Sequence, residues 1–162
     1  MRGFAPSLFD KLMNDERRTV VSPVVSRLSI EELKDVVARD LEAMLNTRAV
    51  IPEEMLRQYP ECRNSIIVYG LNDFAGMSLA SLDDRMAICR SLEESITRHE
   101  SRLRNVKATL EIQEESINRL NFAIRALLVV NATSEPVNFD AVLQPSTLHY
   151  SISKSRTNRI GV

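Results

Sequence analysis

The feature that most constrains this fold is a change of hydrophobic period within residues 81–112. The second half of this stretch alternates apolar and polar residues from position 106 onward, which is the period of a half-buried strand. The first half carries apolar residues at helical spacing: Leu82, Met86, Cys89, Leu92 and Ile96. The stretch therefore predicts a helix that passes directly into a strand, with a corner at Glu100 and Arg102.

Two helices are predicted with defined starts. Ser81 is followed by acidic residues, and together they satisfy and neutralise the free N–H end of a helix. Residues 29–48 form the clearest helix of the chain, in which Ser29 and Glu32 fit a capping box. One apolar stripe runs along it, as is typical of a helix packed on a core: Ile30, Leu33, Val36, Val37, Leu41, Met44 and Leu45.

The C-terminal half predicts strands. After the strand that ends the opening stretch, a second strand points Leu120, Phe122, Ile124 and Ala126 inward. Residues 131–136 are interpreted as a loop, residues 137–139 as a brief extended piece, and residues 148–152 as a third strand. The predicted fold class is α+β, with N-terminal helices followed by a small antiparallel sheet of about three strands. Such a sheet exposes edges that can pair with a strand of another chain.

Three parts of the chain are distinguished by their composition. Residues 1–26 are predicted to be an N-terminal docking segment and linker, residues 27–153 a single α+β domain, and residues 154–162 a mobile basic tail. Leu8, Phe9 and Leu12 share one face of a short amphipathic piece in the first part. Because one or two helical turns are not stable alone, this face must dock, either on its own domain or on a partner.

The composition excludes several classes of function. The chain has 162 residues and a net charge of -1, which argues against non-specific nucleic-acid binding. Two cysteines, Cys62 and Cys89, and two histidines, His99 and His149, are too few for a zinc site or a disulfide framework, so no metal or cofactor is expected. No apolar run is long enough to cross a bilayer, and the N-terminal stretch lacks the apolar core of a signal peptide. A cytoplasmic protein is therefore expected.

Four stretches resemble one family, in the same order and over nearly the whole chain. They are PSLFDKL from residue 6, DLEAMLNTR from residue 40, SIIVYGLNDFAG from residue 65 and ESRL from residue 100. The family is TssE, the small baseplate subunit of the bacterial type VI secretion system, which is similar to the T-even phage baseplate wedge protein sometimes described as a lysozyme. The family's corner reads Glu-Pro-Arg-Leu, so Ser101 stands in place of its proline while Glu100 and Arg102 are retained.

This resemblance implies a structural role. Proteins of the family sit in the wedge of a cytoplasmic baseplate at the inner face of the cytoplasmic membrane, around the spike hub VgrG. The implied partners are the wedge subunits TssF, TssG and TssK, together with the sheath subunits TssB and TssC. The family offers the sheath its first docking platform, without a cofactor, without nucleic acid and without insertion into the membrane.

The candidate partner-binding residues follow from this role. The wedge set comprises Leu8, Phe9, Leu12, Arg48, Glu100 and Arg102. The sheath set comprises Leu148, Tyr150 and Ile152. Each set also has an alternative interpretation in which its residues contact only this chain. In the first, Glu100 and Arg102 form an exposed ion pair that holds the corner and contributes only about 0–1 kcal/mol. In the second, residues 148–152 form an ordinary internal strand.

The alternative function is a lysozyme-like peptidoglycan hydrolase using Glu100. A glycosidase needs two carboxyl groups, one of which must hold a proton to donate. Arg102 lies two residues on in an extended segment and projects to the same side as Glu100, and a nearby guanidinium favours the ionised carboxylate instead. The chain also has no tryptophan and only three tyrosines, so platforms for sugar stacking are scarce. The chain is therefore predicted not to be an enzyme.

Overall fold

The computed structural model describes residues 28–51, 53–74, 76–78, 81–111, 120–130, 133–144 and 146–155. The predicted docking segment, with Leu8, Phe9 and Leu12, lies outside these residues. The chain divides into two compact units, Met1–Val37 and Ala38–Val162.

The described elements are helices followed by strands, so the α+β prediction is confirmed. The helices are α1 (Ile30–Leu45), α2 (Glu53–Leu56) and α3 (Leu82–His99), with short 3₁₀ helices at Pro60–Asn64 and Ile66–Val68. The strands are β1 (Leu103–Glu111), β2 (Leu120–Val130), β3 (Thr133–Gln144) and β4 (His149–Lys154). They form one antiparallel sheet in the order β1-β2-β3-β4.

The first unit contains the predicted start of α1. The Glu32 N–H donates to Ser29 Oγ at 3.2 Å, and the Ser29 N–H donates to Glu32 Oε2 at 2.7 Å. These two bonds are the reciprocal pair of a capping box and satisfy two donors that the helix itself leaves free. Leu33 and Val37 of the predicted stripe are buried.

The second unit contains the sheet, whose inner face is buried. Phe122 pairs with Ala141, and Ile124 pairs with Phe139. All four are at most 1% exposed, so the two central strands present a continuous apolar surface on one side. Further fully buried residues come from the second half of α1, from α3, and from β1 and β4: Leu41, Leu45, Leu92, Ile96, Leu103 and Tyr150.

The prediction of about three strands gave β3 only as a brief extended piece over residues 137–139, whereas it is a full strand. This strand contains Pro136, Asn138 and Asp140, three residue types that are depleted in strands, and the prediction therefore made its first part a loop. Its apolar residues nevertheless alternate and are buried from Val137 onward. Strand β4 pairs with residues 139–144 of β3, so among the described residues no strand lies beside Pro136 on that side, a position in which proline is tolerated.

The start of α3 also differs in part from the prediction. The Asp84 N–H donates to Ser81 Oγ at 3.3 Å, as the predicted cap requires. The buried side of the helix, however, begins only at Ile88. Leu82 is 63% exposed and Met86 is 41% exposed, so the first turns of α3 present apolar side chains that nothing among the described residues covers.

Candidate assembly site at the helix-to-strand corner

The predicted corner is a tight turn between α3 and β1. Glu100 is the C-cap of α3, and its N–H donates to the Ile96 carbonyl at 2.8 Å. The Leu103 N–H donates to the Glu100 carbonyl at 3.2 Å, which closes a four-residue turn. Ser101 occupies the second position of this turn, where proline is favoured. The turn therefore forms with serine in place of the family's proline.

Arg102 binds both carboxylate oxygens of Glu100. Its backbone N–H donates to Glu100 Oε1 at 3.0 Å, and its Nε donates to the same oxygen at 2.8 Å. Its Nη2 donates to Glu100 Oε2 and also to Asp40 Oδ2, the latter at 2.6 Å. Arg102 thus connects the corner to Asp40 on α1, a residue that is not among the predicted site residues.

This three-residue ion cluster is only partly accessible. The exposed fractions of the side chains are 10% for Glu100, 27% for Arg102 and 38% for Asp40. The hydrogen bonds from Arg102 to Glu100 raise the pKa of the guanidinium, burial opposes this effect, and Asp40 adds to it. Arg102 therefore stays charged at any relevant pH, and the outer rim of the cluster is formed by Asp40 and Arg102.

Tyr69 and His99 stand beside the cluster. Their rings meet edge to face, with centroids 5.3 Å apart. His99 Nε2 lies 3.1 Å from the Val68 carbonyl, so that the imidazole N–H donates to this oxygen. Burial raises the pKa of the Tyr69 hydroxyl, and the charges of Asp40 and Glu100 raise it further. Val68 and Tyr69, which belong to one of the four stretches that resemble the family, therefore lie next to the corner.

Arg48 is not brought to the corner. Its Nη2 donates to the Leu148 carbonyl at 3.1 Å, and its Nη1 is buried without a hydrogen-bond partner among the described residues. The neighbouring backbone is fixed by a short parallel bridge, in which the Leu71 N–H donates to the Thr47 carbonyl and the Ala49 N–H to the Leu71 carbonyl, each at 2.9 Å. The predicted wedge residue Arg48 thus lies next to the predicted sheath residue Leu148.

The edge strand β4 is less open than the sequence predicted. Asn46, at the end of α1, donates from Nδ2 to the Tyr150 carbonyl at 2.9 Å and accepts the Tyr150 N–H on Oδ1 at 2.8 Å. Glu42 accepts the Ile152 N–H on Oε2 at 2.7 Å. Tyr150 is fully buried, Ile152 is half-buried, and Leu148 is 42% exposed. Side chains of α1 therefore occupy the backbone groups that a neighbouring strand would otherwise bind.

We expect Asn46→Ala to destabilise the chain by about 2–3 kcal/mol, because it leaves the N–H and the carbonyl of buried Tyr150 without partners. Urea denaturation followed by circular dichroism measures this change. Thr47→Val is the matched control, since the bond that the Thr47 hydroxyl makes among the described residues is to the exposed Ala43 carbonyl one turn earlier. Equal free energies of unfolding for Asn46→Ala and Thr47→Val would contradict the covering role of Asn46.

The corner is poorly suited to acid catalysis. Both oxygens of Glu100 accept hydrogen bonds from Arg102, and Asp40 binds the same guanidinium. Such charge-assisted bonds engage the carboxylate as an acceptor, whereas a general acid must donate a proton.

Within the described ranges, no group of three or more His, Cys, Asp and Glu side chains could hold a metal ion. None of the described helices is long and apolar enough to span a membrane.

The sequence matches the family model described as baseplate wedge protein gp25 over residues 31–133. The match covers more than half of the chain and includes Asp40, Arg48 and the whole corner. This chain belongs to the gp25 family of baseplate wedge proteins. Membership in the gp25 family assigns it a structural role in a baseplate.

Among solved structures, the gp25-family chain is similar to a chain of "The baseplate complex from the type VI secretion system". The two are 18% identical, with a TM-score of 0.45, and the alignment covers 70% of this chain and 96% of that chain. No curated protein matches the sequence.

Proposed function

We propose that this gp25-family protein is the TssE-type wedge subunit of a bacterial type VI secretion baseplate. Membership in the gp25 family supports the role in a baseplate. The four stretches that resemble TssE support the assignment of that baseplate to a type VI secretion system. The observation that carries the proposal is the ion cluster of Asp40, Glu100 and Arg102. It lies within the family match, and its outer rim is exposed while its inner carboxylate is buried.

In this proposal the wedge subunits TssF and TssG bind at the corner. Arg102 and Asp40 retain exposed fractions of 27% and 38%, which is enough for a partner to contact them. Arginine binds carboxylates through two parallel hydrogen bonds and loses its hydration more readily than lysine. A partner that covers this rim would therefore remove water from ion pairs that Arg102 has already formed with Glu100 and Asp40. Leu8, Phe9, Leu12 and Arg48 complete the proposed wedge contacts, and TssK and VgrG complete the assembly in the cytoplasm at the inner membrane face.

We further propose that the sheet provides the platform on which the sheath subunits TssB and TssC begin to polymerise. Leu148 is the exposed member of the proposed contact. Tyr150 and Ile152 fix β4 beneath it through their bonds to Asn46 and Glu42. The hydrolase alternative using Glu100 is disfavoured, because Arg102 engages both of its oxygens.

The test is co-purification with TssF and TssG. We expect the double variant Glu100→Ala, Arg102→Ala to stay folded and to lose the complex, because a wedge subunit that covers the corner would lose its contacts with both side chains. Removing both partners together avoids leaving either charge alone in the fold. Circular dichroism on each free chain checks the fold.

The control is the double variant Glu31→Ala, Lys34→Ala, which removes an ion pair of 2.9 Å on α1 between a Glu31 side chain that is 63% exposed and a Lys34 side chain that is 16% exposed. It should co-purify in the same amount as the wild type. Recovery of the corner variant with TssF and TssG at the wild-type level would refute the corner as a wedge interface. Release of peptidoglycan fragments by the wild type, abolished in Glu100→Gln, would favour the hydrolase instead.

A further inference from the structure

Two buried polar groups beside β4 have no hydrogen-bond partner among the described residues. They are Nη1 of Arg48 and the hydroxyl of Tyr150. Tyr150 is 0% exposed, so its hydroxyl is withdrawn from the surrounding solvent. A buried donor that makes no hydrogen bond is costly, and nearly all buried polar groups of folded proteins have a partner. Two such donors in one part of the fold indicate a site for a bound acceptor.

The contact between the end of α1 and the start of β4 brings these two residues together. Asn46 binds both the N–H and the carbonyl of Tyr150, at 2.8 Å and 2.9 Å. Two residues further on, Arg48 donates from Nη2 to the carbonyl of Leu148, which lies two residues before Tyr150. Residues 46–48 and 148–150 therefore lie side by side in opposite order, and the guanidinium is anchored next to the tyrosine.

The Tyr150 hydroxyl is available as a donor. Burial raises the pKa of this hydroxyl to about 12, and the charge of Arg48 partly opposes this effect. The hydroxyl therefore keeps its proton at neutral pH, and the guanidinium is close enough to act on it. The ring is held against Phe122, with centroids 6.3 Å apart, so the hydroxyl oxygen has a fixed position.

Arg48 forms no ion pair within the part of the chain that the structure describes. Glu42 also reaches β4 from α1, but its Oε2 accepts the Ile152 N–H. The ion pairs of the described residues involve other basic side chains: Lys34, Arg39, Arg102 and Lys107. A charged group withdrawn from water is costly without a counter-charge, so the surroundings of Arg48 Nη1 favour a negative ligand.

We propose that a small monovalent anion of the size of chloride binds between the end of α1 and β4, where it accepts hydrogen bonds from Arg48 Nη1 and from the Tyr150 hydroxyl. An anion satisfies both donors and balances the charge of the guanidinium, whereas a water molecule would leave that charge unbalanced. The bound anion connects α1 to β4 through side chains, in addition to the backbone bonds that Asn46 makes.

The experiment measures urea unfolding of the full chain while sodium chloride replaces sodium gluconate at a constant ionic strength of about 0.15 M. Gluconate is too large for a site of this kind. A ligand that binds only the folded state raises stability with its concentration. We expect full replacement to raise the ratio of folded to unfolded chain about tenfold, which corresponds to a dissociation constant about tenfold below the final chloride concentration. The amide resonances of Leu148 and Tyr150 should shift along the same titration.

Tyr150→Phe tests the site directly, because it removes the hydroxyl and keeps the buried ring. We expect the effect of chloride to fall below twofold in this variant. Tyr59→Phe is the matched control at a tyrosine that is 64% exposed, and it should keep the whole effect. Arg48→Met should also lose the effect, whereas Arg57→Met, at an exposed arginine, should retain it.

The proposal is overturned if the wild type is equally stable in chloride and in gluconate, since the site would then hold water rather than an anion. It is also overturned if Tyr150→Phe keeps the tenfold effect of chloride, which would mean an adventitious ion only, bound elsewhere on the surface. Because this titration contains no baseplate subunit, its failure is distinct from a failure to co-purify with TssF and TssG.

Discussion

Replacing Arg102 with methionine is expected to lower the free energy of unfolding of the isolated chain by about 3–5 kcal/mol. Glu100 has a side chain that is only 10% exposed, and it receives three hydrogen bonds from Arg102, two of them from the guanidinium. Methionine fills a similar volume but supplies no charge, so it leaves a buried carboxylate without its cation. Asp40 loses its bond to Arg102 at the same time.

Urea denaturation at neutral pH measures this change in the free energy of unfolding. If this free energy depends on urea concentration with the same slope in the variant and the wild type, both expose the same surface on unfolding and their stabilities can be compared directly. The control Arg104→Met removes an exposed arginine two positions further along β1 and should change stability by no more than about 0.5 kcal/mol. The double variant Arg102→Met, Glu100→Leu should recover most of the loss, since neither charge then remains buried alone. A single variant as stable as Arg104→Met would mean that Arg102 does not stabilise the corner.

The corner was predictable because its determinants are local. Glu100 and Arg102 are two residues apart, and the change from helical to strand period places them at the end of one element and the start of the next. Asp40 was not predictable in the same way, because it lies 62 residues before Arg102 in the sequence and meets it only through the packing of α1. An acidic residue on the polar side of a helix gives no signal of such a distant partner.

The edges of the sheet show the same limit. The sequence correctly predicted alternation in β1, β2 and β4, but the apolar stripe of α1 assigns no role to Asn46 or Glu42. Their partners are the backbone groups of Tyr150 and Ile152, more than 100 positions away. Hydrophobic period identifies a strand and its buried face, whereas the covering of an edge depends on which helix lies beside it.

Replacing Gly70 with alanine is expected to destabilise the chain by about 3–5 kcal/mol. Gly70 has a φ of 113°, in the region that side chains other than glycine rarely adopt. A Cβ at this position would lie 2.3 Å from the Thr47 carbonyl oxygen and 2.7 Å from its carbon, and both atoms belong to backbone that cannot rotate away. The same carbonyl accepts the Leu71 N–H, so relief of the clash would break the bridge between the end of α1 and residue 71.

Gly76→Ala is the matched control, because no atom of the described residues outside its chain neighbours lies within 4 Å of the Cβ that it would add. It should change the free energy of unfolding by no more than about 0.5 kcal/mol, in the same urea experiment. Gly70→Ala should also weaken co-purification with TssF and TssG. Gly70 follows Tyr69, whose ring contacts His99 at the end of α3, and its carbonyl accepts the buried Ser95 hydroxyl of α3 at 2.7 Å. If Gly70→Ala were as stable as Gly76→Ala, the backbone at residues 47 and 70 would have to be free to separate, and the segment beside the corner would not hold α3 in place.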